Sequence, residues 1–142
     1  MKLEDQVTSL ELSKKLKELG VEQESLWCWV CKRGRKWTSE EDHWFLHETE
    51  SSYNYKGNDK CSAFTVAELG EMLPNNINEN FRIYHLKLRN YGDSFGIAYE
   101  LDNDEEDNWM LHDEIETTEA NARAKMLIYL IENKLIELKE NQ

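Results

Sequence analysis

TTEANARAKMLIYLIENKLI, Thr117–Ile136, is the stretch that decides the fold. Thr117 or Thr118 can accept from the free amides of a first helical turn. Glu119 follows where the positive end of a helix dipole favours an acid. Ala120, Ala122, Ala124, Lys125, Met126 and Leu127 are strong helix formers. Ala120, Ala124, Leu127, Ile131 and Leu135 recur at three- and four-residue steps, and Ile128 and Leu130 widen that stripe. Asn121, Lys125 and Glu132 fall opposite, with Tyr129 at the edge. Burying each large apolar side chain is worth roughly 1.5–3 kcal/mol. So wide a face needs a sheet or a second helix across it. Asn133 is placed to end the helix, because asparagine tolerates the left-handed conformation. The functional alternatives to a core helix are a dimer seam, which keeps a homodimer open, and a partner-binding face.

The segments before it read as strands and two shorter helices. Trp109–His112 predicts a last strand. Phe95, Ile97, Tyr99 and Leu101 alternate, as do Arg82, Tyr84, Leu86 and Leu88 within Phe81–Arg89. Asn90-Tyr91-Gly92-Asp93 is a turn joining the two runs into a hairpin. Thr65-Val66-Ala67-Glu68 has the form of a capping box, opening a short helix that Pro74 stops. Thr8-Ser9-Leu10-Glu11 has the same form. Leu12, Leu16 and Leu19 make its stripe, and Gly20 is placed to end it. Trp-rich Ser25–Lys32 reads as a strand, which spoils a helix-turn-helix reading of this region. His43–Glu48 reads as a strand pairing with it across the basic turn Lys32–Lys36, with a helical turn capped by Thr38 or Ser39 as the competing reading. The stretches 50–60 and 75–80 are loop-like. The order α-β-β-α-β-β-β-α predicts a single α+β domain, 1–142, with an antiparallel sheet of about five strands packed on helices.

Composition narrows the function. The 142 residues suffice for a real core, and one proline and six glycines argue against disorder. No apolar run approaches the roughly 18 residues of a membrane span. MKLEDQVTS lacks an apolar signal core, and three cysteines fit a reducing cytosol. The net charge of −12 disfavours direct nucleic-acid binding. From Glu100 to Glu116 there are nine acids and no Lys or Arg. A solvated loop accounts for such a run. The sharper reading is an acidic surface that meets a basic partner, with Asp102, Asp104, Glu105, Glu106 and Asp107 at its centre.

Metal chemistry has one candidate. Cys28-x2-Cys31 and His43-x3-His47 are separated by 11 residues, one short of the usual zinc-finger spacing. In a strand, however, Cys28 and Cys31 point to opposite faces. The same cysteines lack the helix N-terminus that activates redox pairs. Asp102–Asp113 has acids at calcium-loop positions but Asp107 where that loop needs glycine. Glu100, His85 and His112 could meet on neighbouring strands as an acid–base set, although histidines without a catalytic role are commoner. No phosphate-binding loop or nucleophile elbow is present, so no catalytic residue and no cofactor is expected.

SAFTVAELGEMLP (Ser62–Pro74) and TEANARAKMLIYLIENKLI (Thr118–Ile136) resemble a group of small uncharacterised bacteriophage and prophage proteins. These also open with a segment like LSKKLKELGVEQESLWCWV. The resemblance covers about half the chain, in three blocks. It implies a phage-type accessory protein acting in a bacterial host cytoplasm, and it carries over no catalytic or binding residue. The expected function is a non-enzymatic protein-interaction module that modulates a host protein, in its sharpest form by acidic mimicry of nucleic acid. The alternatives are a small-ligand or nucleotide-binding module, with Trp27, Trp29, Trp37 and Trp44 lining a pocket, and a zinc-dependent nucleic-acid binder.

Overall fold

The computed structural model describes residues 2–35, 37–103 and 107–138. Its longest helix, α3, is Glu119–Glu132, capped by Thr118, whose side-chain oxygen accepts the Asn121 N–H at 3.2 Å. Its buried arc is wider than the stripe read from sequence, for Ala122 and Met126 are inside as well. The cause is cover from more than one direction. Strands β6 (Phe95–Glu100) and β7 (Met110–Glu116) lie against α3. So do the helices α1 (Leu10–Glu18) and α2 (Val66–Met72). Three alanines, at 120, 122 and 124, leave room for these neighbours to approach.

The end of α3 departs from expectation. Asn133 is the C-cap, but the left-handed residue is Lys134, at φ 57°. Leu135 N–H donates to Leu130 O at 2.9 Å and Lys134 N–H to Ile131 O at 3.1 Å, the paired bonds of a Schellman end. Lysine carries a Cβ there that glycine lacks. Lys134→Gly is therefore expected to stabilise the fold by about 0.5–1 kcal/mol. The reading is a higher urea midpoint at unchanged slope. A lower midpoint would mean that the lysine side chain contributes more than its backbone strain costs.

α1 ends the same way, with Gly20 at φ 93° in the left-handed position and Val21 N–H donating to Leu16 O at 3.1 Å. Its start corrects the expected capping box. Ser9 is the cap, accepting from Leu12 N–H, while Thr8 is turned inward and fully buried. Thr8 N–H donates to Phe64 O at 2.9 Å, and Phe64 N–H returns a bond to Thr8 Oγ1 at 3.0 Å. Ser13 Oγ lies 2.6 Å from Thr8 Oγ1, and Trp29 Nε1–H donates to Thr8 O at 2.9 Å. One threonine thus holds the N-terminal segment against the end of one sheet and the flank of α1. Asn121 adds a second tie, accepting Ser9 N–H at 2.9 Å.

The α+β class is as expected, but the strands form two antiparallel sheets. β1 (Trp27–Lys32) lies between β2 (His43–Glu48) and β3 (Lys60–Ala63). The second sheet has the order β4-β5-β6-β7, with β4 at Asn76–Glu79 and β5 at Arg82–Asn90. The core joins Leu16 of α1, Leu69 of α2, Tyr84 of β5, Ile97 and Tyr99 of β6, and α3. α2 has the complete capping box read from sequence. Glu68 does more there than close the box. Its carboxylate also accepts from Ser25 Oγ at 2.8 Å and Leu26 N–H at 3.2 Å, pinning the entrance of β1.

β3 and β4 correct stretches read as loop or left unassigned. Only Ile77 of β4 (Asn-Ile-Asn-Glu) is a strand-favouring residue, and it is buried beneath the sheet. Strand preference is largely a matter of fitting a pleated neighbour, so β5 supplies what local sequence withholds. Pairing of Glu79 with Arg82 leaves Asn80 and Phe81 as a two-residue turn, so β5 begins one residue later than read. No helix among the described residues is long and apolar enough to cross a membrane.

Candidate functional site

The four-stranded sheet has one face on α3. Its other face carries the even-numbered residues of β6, with His85, Lys87 and Arg89 beside them on β5. The acids of 100–116 meet these cations and those of α3. Glu100, only 4 % exposed, takes a two-pronged bond from Arg89 at 2.5 and 2.7 Å. That bond holds the Arg89 guanidinium above its ordinary value. Asp102 lies 3.5 Å from both His85 and Lys87. Glu114 meets His112 at 2.8 Å, and Glu116 pairs with Lys125, whose ammonium it raises. Of the six described acids of this stretch, Glu100, Asp102 and Glu116 are thus each met by a Lys or Arg from β5 or α3. Asp107 is exposed, and its carbonyl accepts from Arg82. Asp104, Glu105 and Glu106 lie outside the described residues.

The suggested acid–base set does not assemble. His85 and Glu100 are cross-strand partners, but each bonds elsewhere. His112 is on the helix side, stacked on Tyr129 with ring centres 3.6 Å apart and planes within 3°.

The zinc candidates are also separated. Cys28 faces His47 across the ladder, and Cys31 faces Trp44 on the opposite side of the sheet. His43 and His47 share the Cys28 face, but Phe45 stands between them, stacked on His43 at 5.9 Å. Among the described residues no group of three His, Cys, Asp or Glu side chains is placed to hold a metal. The third cysteine, Cys61, is buried, and burial pushes its thiol up to about 11, away from the reactive thiolate.

Trp27, Trp29 and Trp44 do share a sheet face, but they do not line one pocket. Trp29 is tied to Thr8, Lys14 lies over the Trp44 ring, and Trp37 is exposed at the far turn. Trp27 alone of the four reaches a groove of about 710 Å³, opposite Phe95 and beside Asp5, Asn90 and Thr117.

A smaller cleft, of about 410 Å³, runs between the α1–β1 link, α2 and the segment after α3. Its floor is apolar: Val21, Met72, Leu127, Ile136 and Leu138. Its walls are Glu22, Glu24, Glu68, Glu71 and Glu137, without a Lys, Arg or His. Glu68 is engaged within the fold, as described. The other four are exposed. Leu26, beside Glu68, is exposed too. No sequence window reveals this cleft, because its glutamates come from three separate segments. Fold topology brings them together. Its chemistry suits a ligand that is both cationic and apolar. Comparison with family models, curated proteins and solved structures gives no match to this chain.

Proposed function

We propose that this protein is a non-enzymatic interaction module of phage type, which engages a basic protein of the bacterial host. The observation that carries the reading is the cleft walled by Glu22, Glu24, Glu71 and Glu137 over an apolar floor. An apolar side chain of the partner would bury on that floor, and its cations would meet the glutamates. Like charges on three converging segments repel one another in the free protein, and a basic partner relieves that repulsion. The acids of 100–116 have a smaller role than their density suggests, since three of the six described members already have a Lys or Arg partner. The remaining surplus, within a net charge of −12, steers a basic partner at long range.

The test is capture of proteins from bacterial lysate on the immobilised chain, with elution by salt. Wild type is expected to retain basic proteins at low salt and to release them near 0.5 M, where the screening length falls to about 4 Å. The variant Glu22→Gln/Glu24→Gln/Glu71→Gln/Glu137→Gln should retain about tenfold less, since desolvated charge pairs of this kind are worth more than 1 kcal/mol. Equal retention by both proteins would remove the cleft from the account.

A further inference from the structure

The turn between β4 and β5 holds a residue that does not suit it. Asn80 and Phe81 both have positive φ, 53° and 63°, with Glu79 paired to Arg82 on either side. A two-residue hairpin turn with both central residues left-handed favours Asn-Gly, because glycine has no Cβ to crowd the backbone. Asn80 fits that rule. Phe81 breaks it, and its ring gains nothing in return, since the side chain is fully exposed. Ile83, two residues on, is 52 % exposed on the sheet face away from α3. Strain and exposed aromatic surface coincide at one tip, and neither serves the fold.

We propose that Phe81 is the apolar anchor of the partner interface, entering a pocket rimmed by Lys or Arg on a basic protein. This rests on the interaction reading above. The rim chemistry follows from what surrounds the tip. Glu79 precedes the turn, and Arg82 Nη1 donates to Asp107 O at 2.5 Å, which holds the tip beside exposed Asp107, so two acids flank the tip against the one cation of Arg82. A second copy of this chain would bring −12 against −12, and an anionic lipid surface would meet the same acids. A basic-rimmed pocket is complementary both to the ring and to the charge around it. Aromatic side chains at the centre of an interface carry a large share of binding energy, and a preset backbone leaves less to order on binding.

Phe81→Gly separates anchor from scaffold, because it installs the preferred Asn-Gly turn. Its melting temperature should rise by about 2–4 °C. The most abundant salt-released protein from the lysate capture, once identified and purified, should bind this variant about tenfold or more weakly than wild type. Asn80→Gly alters the turn without touching the ring and should bind as wild type does. If Phe81→Gly binds that protein undiminished, the anchor is overturned while the interaction reading stands. If wild type retains no salt-released protein, both are overturned. A lower melting temperature for Phe81→Gly would show that the ring serves the fold, and would also overturn the anchor.

Discussion

Thr8→Val should unfold at a markedly lower urea concentration than wild type. Valine keeps the shape of threonine and removes one oxygen. That oxygen accepts Phe64 N–H at 3.0 Å and lies 2.6 Å from Ser13 Oγ, at a site with no exposure. Ser13 retains a weaker bond to Thr8 O at 3.3 Å, so the main loss falls on the Phe64 amide. A buried donor left without an acceptor costs about 1–3 kcal/mol, and the weakened Ser13 bond adds to it. The expected loss is about 2–4 kcal/mol, a large share of the stability of a chain this size. Thr8→Ser restores the oxygen and should recover most of it. An unchanged midpoint for Thr8→Val would mean that Phe64 N–H finds another acceptor and that the N-terminal segment is held by packing alone.

Arg89→Met should be nearly as damaging, for a different reason. It leaves Glu100 4 % exposed with no guanidinium to meet its charge. Breaking a fully buried pair costs about 3–5 kcal/mol, but Arg89 is 45 % exposed, so water screens part of the effect and about 2–3 kcal/mol is expected. The double variant Arg89→Met/Glu100→Leu should regain most of that loss, because no buried charge then remains. Urea unfolding of the four proteins of this cycle gives the coupling. If the single and double variants are equally unstable, the pair is not what holds the outer face of β5 to β6.

How legible the molecule was in its sequence depended on whether a signal was local. α3, the Thr65–Glu68 box and the Gly20 helix end are each written within a few residues, and each is where the pattern puts it. The β5–β6 hairpin is equally local. Thr8 was misread because its formal fit to a capping box competes with a long-range partner, Phe64, which no window contains. β3 and β4 were missed because their residues become strands only against β1 and β5. The acidic run was visible, but the cations that meet it were not, since they come from β5 and α3. The cleft glutamates lie on three segments and have no linear signature. Phe81 looked like the first residue of a strand. Its importance as a turn residue emerges only with Asn80 and the Glu79–Arg82 pair in place.

The tie from Ser9 to Asn121 joins positions 112 apart in sequence, and α3 fills the space between elements made before it. A ribosome therefore releases both sheets before the segment that closes them. Until that segment emerges, the inner faces of β5 and β6 have nothing to rest on. From the completion of β6 at Glu100 until α3 is finished at Glu132, the nascent chain carries its greasiest strands uncovered.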